Sequence, residues 1–312
     1  MINSMLVFSV TQKASDLHLS SGEKPCIRVN GDLKRLSADK LLPQKLKIDL
    51  FNLLNMEQKA ILQQHQQIDF AYHLEDIGRF RVNIFYQQRG ISAVFRIIKQ
   101  QIPSLNEIEA PNVLNELAKA ESGIILVTGA TGSGKSTTLA ALIQHINQTQ
   151  AKHIITLEDP IEFIYQNDKS LIQQRELIHF GNAIDSILRQ DPDIILLGEL
   201  RNQHTIQAAL TIAETGHLVL ATLHTSSAIQ TINRIIDLFD EGARGVIRNQ
   251  LSNSLKAIIC QKLIPFNESR KAIYEVLINT SAVSNLISEG KTKQILSIMQ
   301  TGKQYGMQLM TN

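Results

Sequence analysis

Tryptophan is absent and cysteine nearly so, with only Cys26 and Cys260 among 312 residues. Two thiols so far apart in sequence exclude a disulfide framework and a four-cysteine zinc site, and they fit a reducing cytoplasm. No stretch approaches 18 consecutive apolar residues, and the opening MINSMLVFSVTQKASD lacks a basic segment followed by an apolar run. Direct membrane insertion is therefore not expected, and any membrane contact runs through a partner. Charge of one sign is also missing: 31 basic against 29 acidic side chains leave a formal +2. That balance carries no electrostatic footprint for nucleic acid. With 43% hydrophobic and 19% charged residues, the chain has the composition of a packed globular protein.

The length suits two domains, and the sequence changes character once. In the first hundred residues, Asp16-Leu17-His18-Leu19-Ser20 alternates at strand period, and Asn30-Gly31 predicts a two-residue hairpin turn. Leucines 46, 50, 53 and 54, with Ala60 and Ile61, predict one amphipathic helix over residues 44–64. Three alternating segments follow, IDFAYHL, GRFRVNIFYQQ and ISAVFRII, a meander whose last turn is expected at Arg89-Gly90. These elements give residues 1–100 as an α+β domain. Residues 101–113, QIPSLNEIEAPNV, have the composition of a linker. Over residues 114–312, apolar runs at Ile124, His153, Asp193 and His217 alternate with helical patterns, the rhythm of parallel strands and crossover helices. The fold class read here is α/β for this second domain, with short helices from Ser281 onward.

The densest chemistry is GATGSGKST, in which Gly129, Ala130, Thr131, Gly132, Ser133, Gly134, Lys135, Ser136 and Thr137 meet the G-x-x-x-x-G-K-[ST] spacing between an apolar strand and a helix. Glycines let backbone N–H groups converge on a phosphate at a helix N-terminus. Lys135 supplies a cation to the β- and γ-phosphates of ATP, and Ser136 a hydroxyl to Mg²⁺. Hydrolysis also needs a group that orients and deprotonates water. Two segments deliver acids to strand ends: Glu158, Asp159 and Glu162 after IITL, and Glu199 after DIILLG. Isolated acids in such places also serve as helix caps or solvated turns, and the neighbouring P-loop turns the reading toward chemistry. His217 and His224 flank one strand on opposite faces, which leaves both as structural on spacing alone. Arg79, Arg81 and Asn83 share a strand face, and an Arg89-Gly90 turn makes Arg81 and Arg96 diagonal neighbours. Such a pair reads either as a γ-phosphate clamp or as a solvated basic face.

Nearly end to end, the chain resembles the PilT-like type IV pilus retraction ATPases of the secretion-type superfamily. The motifs are ASDLHLS, IRVNGDLKRL, RFRVNIFYQQRG, GATGSGKSTTLAAL, TLEDPIEF, LIQQRE, DPDIILLGELR, AETGHLVLATLHTSSA and the Gly302 to Gln308 tail. The resemblance implies a PAS-like first domain, a RecA-like second domain and a homo-oligomeric ring of six subunits with ATP at the interfaces. It also implies an inner-membrane pilus platform protein and related pilus ATPases as partners, and a place in the cytoplasm at the inner membrane. By motif, Glu158, Asp159 and Glu162 fall in its acidic box, with Glu158 and Asp159 beside Ser136 as metal-binding candidates. Glu199 falls at its catalytic glutamate, and His217 and His224 fall in its histidine box, with His224 the nucleotide sensor. Arg79, Arg81 and Arg96 fall on its nucleotide-facing segment.

The chain departs from that family at three places. Asn202 stands where an aspartate is usual, the segment LIHFGNAIDSILRQ is short, and Ala282-Val283-Ser284-Asn285-Leu286-Ile287-Ser288-Glu289 carries two serines where the retraction-associated motif has arginines. A pilus-extension or type II secretion motor remains open as an alternative, as does an accessory subunit with little hydrolysis.

Overall fold

Strand alternation and turn chemistry build the first of two units, Met1–Gln101, and buried apolar runs build the second, Ile102–Asn312. The computed structural model describes the chain apart from residues 76, 99–100, 177–180, 267–268 and 311–312. The first unit runs α1 (Ile2–Thr11), β1 (Asp16–Ser20), β2 (Cys26–Val29), β3 (Asp32–Arg35), α2 (Pro43–Phe51), α3 (Met56–His65), β4 (Gln67–Leu74), β5 (Gly78–Gln87) and β6 (Gly90–Ile98). Its six-stranded sheet has the order β3-β2-β1-β6-β5-β4 and is antiparallel throughout. One face covers a core that includes Leu17, Leu46, Leu50, Phe80 and Phe95.

The Asn30-Gly31 turn forms as expected: Val29 pairs with Asp32, and both turn residues have positive φ, 53° and 94°. The single helix expected over residues 44–64 is instead two, α2 and α3. Asn55 starts the second one by a capping box: its Oδ1 accepts from the Gln58 backbone amide at 2.8 Å, and Gln58 Oε1 accepts from the Asn55 backbone amide at 3.0 Å. Leu46, Leu50 and Leu62 are buried in the same core, so the apolar period carries across the break. A second correction concerns register. Gln87 pairs with Gly90, so the turn residues are Gln88 and Arg89, and Arg81 lies directly opposite Arg96. Gly90 belongs to the strand because it packs against the end of β1: a Cβ there would lie 3.0 Å from Ser21 Oγ.

The second unit runs α4 (Val113–Leu117), β7 (Gly123–Thr128), α5 (Lys135–Thr149), β8 (His153–Glu158), β9 (Leu171–Glu176), α6 (Gly181–Ile187), β10 (Ile194–Leu197), α7 (Gln203–Glu214), β11 (Leu218–Leu223), α8 (Ala228–Asp237), α9 (Glu241–Ser254), β12 (Leu255–Phe266), β13 (Ser269–Ile278), α10 (Ser281–Ser288) and α11 (Ile295–Thr301). Its seven strands lie in the order β13-β12-β7-β11-β10-β8-β9, parallel except for the β12–β13 hairpin. Alternate residues of β7 feed two cores: Ile124 and Leu126 one, Ile125 and Val127 the other. Both sheet faces are therefore covered, which is why these strands read as unbroken apolar runs. The four expected strands are β7, β8, β10 and β11, while β9, β12 and β13 join them unforeseen. Of the stretch expected as a linker, Leu105 is buried in the second unit's core, with Ile108, Ala110 and Val113 packed against it. In the short LIHFGNAIDSILRQ segment, residues 177–180 lie outside the described residues and α6 follows. Among the described residues no helix is long and apolar enough to cross a membrane.

Candidate nucleotide site

Sheet order decides which sequence candidates meet. At the C-terminal edge, β7 hands over to the glycine-rich loop, and then come β11 ending before His224, β10 ending before Glu199 and β8 ending at Glu158. Neighbouring strands lie about 4.8 Å apart, so His224 is one strand from the loop, Glu199 two and Glu158 three. Chain order alone would have put Glu158 nearest.

The loop itself curls on three positive-φ glycines, Gly129 at 144°, Gly132 at 76° and Gly134 at 90°. Gly134 precedes the first turn of α5, so backbone donors of that turn face the loop's hollow. Lys135 is buried, and its Nζ donates to the carbonyls of Gly129 at 2.8 Å and Ala130 at 3.1 Å. Burial lowers its pKa, opposed by the negative charge of Glu199 and Glu162. Ser136 follows on the first turn of α5, half-buried, with Thr137 beside it.

From the loop a row of polar contacts leads outward. Thr131 Oγ1 lies 3.5 Å from His224 Nδ1, and His224 Nε2 lies 3.3 Å from Glu199 Oε1. Arg201 Nε donates to Glu199 Oε2 at 3.0 Å, and its Nη1 reaches Asp159 Oδ2 at 3.5 Å. Both ring nitrogens of His224 and both oxygens of Glu199 are thus engaged. His217 sits at the opposite end of β11, where Nδ1 contacts Thr215 Oγ1 at 3.1 Å and the Ile212 carbonyl at 3.3 Å. It ties the end of α7 to the sheet, far from the loop. Glu158 turns inward, accepting from Thr156 Oγ1 at 2.7 Å and Gln174 Nε2 at 3.3 Å. Burial raises its pKa, against those two hydrogen bonds. In the first unit, Arg81 Nε is 3.8 Å from Asp69, and Arg96 Nε donates to the buried Asp16 at 3.0 Å.

One residue beneath the loop escaped sequence reasoning. Gln261, on β12, is buried and donates to the Ser133 carbonyl at 2.6 Å. A Cβ on Gly129 would fall 2.3 Å from the Gln261 carbonyl, and one on Gly134 would fall 3.0 Å from its Nε2. The available signal was a glutamine directly after the apolar run AIIC, residues 257–260. Gly129→Ala should therefore deform the loop: a Cβ cannot share space with a backbone carbonyl, and the left-handed φ adds about 1 to 3 kcal/mol of strain. A lowered melting temperature together with lost nucleotide binding is expected by differential scanning fluorimetry with and without ADP. Wild-type values for both would refute the steric argument.

The family described as type II/IV secretion system protein matches over residues 1–312. The chain belongs to that family. It is 46% identical over 310 residues to a twitching motility protein of Neisseria gonorrhoeae, covering 96% of this chain and 83% of that one. It is 44% identical over 314 residues to the type IV pilus retraction ATPase PilT of Pseudomonas aeruginosa, covering 99% and 91% of the two chains. Among solved structures, that of the pilus retraction motor PilT with bound ADP superposes with a TM-score of 0.91 at 40% identity, over 95% of this chain and 88% of that one. The fold class is accordingly a RecA-like α/β ATPase unit preceded by a smaller α+β unit, and the chain is a PilT-like member of the family.

Two of its departures have a structural account. Asn202 caps α7: its Oδ1 accepts from the Thr205 amide at 2.9 Å, and Thr205 Oγ1 accepts in return from the Asn202 amide at 3.3 Å. An aspartate would fill the same cap, so the substitution leaves the strand end and helix start in place. Ser284, on α10, donates to the Ser252 carbonyl at 2.9 Å and so fastens α10 to α9.

Proposed function

We propose that the chain is a subunit of a homohexameric motor that hydrolyses ATP and drives retraction of a type IV pilus from the cytoplasmic side of the inner membrane, through a platform protein there. The observation that carries the hydrolytic part is the row joining the P-loop through His224 to Glu199. Lys135 and the loop amides bind the phosphates, Glu199 orients and deprotonates the water, and His224 reports phosphate occupancy of the loop to Glu199. Its similarity to a twitching motility protein and to a type IV pilus retraction ATPase supports the coupling to retraction.

Magnesium fits this arrangement as an ion brought in with the nucleotide. Among the described residues no cluster of three or more His, Cys, Asp or Glu side chains forms a metal cage. Mg²⁺ in nucleotide sites takes one or two protein oxygens and the phosphates, which Ser136 and Asp159 suit. Glu158, hydrogen-bonded inward, is the less available carboxylate. When bound, the ion would neutralise charge on the transferring phosphoryl group.

The clamp acting between subunits is assigned to Arg81 before Arg96. Arg81 and Asp69 form an exposed pair at 3.8 Å, with side-chain exposures of 44% and 56%, and such pairs are worth about 0 to 1 kcal/mol. Arg81 can exchange that partner for a phosphate. Arg96 is held by Asp16, whose side chain is 8% exposed. Arg81→Ala should weaken ATP turnover more than nucleotide binding. Mixing Arg81→Ala subunits with Lys135→Ala subunits should restore part of the activity if the arginine acts in trans, and no recovery at any ratio would count against it.

Native mass and steady-state ATP turnover of the purified chain test the whole reading. A six-subunit assembly that hydrolyses ATP is expected. An intact ring with negligible turnover would overturn the motor and leave an accessory subunit.

A further inference from the structure

Glu199 and His224 also line a cavity of about 310 Å³, to which no residue of the glycine-rich loop contributes. Glu199 and His224 form its near wall, Leu223 and Thr225 continue it, and two guanidinium groups line it, Arg201 and Arg234. The two arginines are not equivalent. Arg201 is committed to Glu199 and Asp159. Arg234, exposed on α8, makes no hydrogen bond or ion pair among the described residues. Arginine stays protonated at any physiological pH, so Arg234 presents a permanent positive charge to the cavity, whereas that of Arg201 is balanced by Glu199 and Asp159.

We propose that this cavity is a subsite for inorganic phosphate, through which the product of hydrolysis leaves the nucleotide site, with Arg234 as its principal ligand and Arg201 as the second. The proposal rests on the assignment of the P-loop and Glu199 to ATP hydrolysis. Its logic is that of an in-line displacement: water activated by Glu199 forms the new P–O bond, the bond to ADP breaks, and the phosphoryl group moves toward the attacking oxygen. Phosphate is therefore produced on the Glu199 side, facing away from the ADP still held by Lys135. The cations that line the cavity beside Glu199 are Arg201 and Arg234. A tetrahedral oxyanion suits a guanidinium fork, which makes two parallel charge-assisted bonds. Space is sufficient, since one liquid water claims about 30 Å³ and the cavity holds several times that. His224 and Glu199, in contact at 3.3 Å, both line this cavity. Movement of that pair would couple phosphate departure to the side chain that senses the nucleotide and the one that activates the water.

The test titrates inorganic phosphate by calorimetry into the assembled protein saturated with ADP, after ADP binding itself has been measured. Arg234→Ala should weaken phosphate binding about 10- to 100-fold, the usual worth of a charge-assisted hydrogen bond, and Arg234→Lys less, because it keeps the charge and loses the fork. The phosphate inhibition constant in steady-state turnover should rise in the same proportion. Arg234 is exposed on its helix, and the lysine variant separates a charge effect from any loss of fold. Equal phosphate affinity in wild type and Arg234→Ala, with ADP bound normally by both, overturns the subsite alone. Slower turnover at unchanged phosphate affinity overturns it too. Failure of the wild-type protein to bind ADP overturns the nucleotide site and the subsite together.

Discussion

Glu199→Gln is expected to lower ATP turnover by about 10² to 10⁴ while nucleotide binding survives, the usual span for loss of a general base. The structure makes this substitution informative because the carboxylate is held from two sides, by His224 at 3.3 Å and Arg201 at 3.0 Å. Glutamine has the same shape and can keep one or both contacts, so the loss would report basicity and not a collapsed strand end. Steady-state phosphate production, measured beside equilibrium binding of an ATP analogue, separates the outcomes. Equal rates for the two proteins would remove Glu199 from the chemistry. Loss of binding together with turnover would make it a positioning residue for the nucleotide.

Lys135→Ala should have the other large effect, on affinity itself. Its ammonium group is buried and leans on two backbone carbonyls of the loop, and burial lowers its pKa. A cation kept there is poorly solvated and is satisfied best by phosphate oxygens. Removing it should weaken ADP and ATP binding at least about 10- to 100-fold, on the scale of charge-assisted hydrogen bonds, and turnover should fall with it. The melting temperature of the nucleotide-free protein should change little, because the lost carbonyl contacts are offset by relief from burying the charge. Calorimetric titration with ADP and thermal melts with and without nucleotide check both halves. Unchanged affinity would show that the loop amides alone hold the phosphates. A large fall in nucleotide-free stability would make Lys135 chiefly a structural residue of the loop.

Much of the site was legible because its signals are local. Glycine spacing, the lysine and hydroxyl that follow, and acids placed directly after apolar runs all lie within a few residues of the backbone geometry they require. The same holds for the Asn30-Gly31 turn. Where the reading went astray, the deciding contact lay elsewhere in the chain. Residues 85–95 alone read Gly90 as a turn residue because its packing against Ser21 is not visible there, and the one-residue shift of the turn moves the residue opposite Arg81 by two, from Ile98 to Arg96. The helix break at Asn55 was local and legible in principle, as a capping box hidden within an unbroken leucine period.

The histidines show the same division. Seven residues of separation says only that His217 and His224 differ in face, whereas the parallel pairing of β11 with β7 and β10 puts one of them at the working edge and the other at the far end. Glu158 and Glu199 both follow apolar runs, yet only the order β7-β11-β10-β8 brings Glu199 within the row that starts at the loop. Gln261 and Arg234 carry no motif, and their relation to the loop and to Glu199 exists only after β12 and α8 have packed. Neighbours in the chain suffice to shape the glycine-rich loop, to mark the change of character near residue 100 and to supply acids after apolar runs. Which acid, which histidine and which arginine share one site was decided by tertiary structure, because strand order, unlike strand formation, is set by crossover connections that no short window of sequence contains.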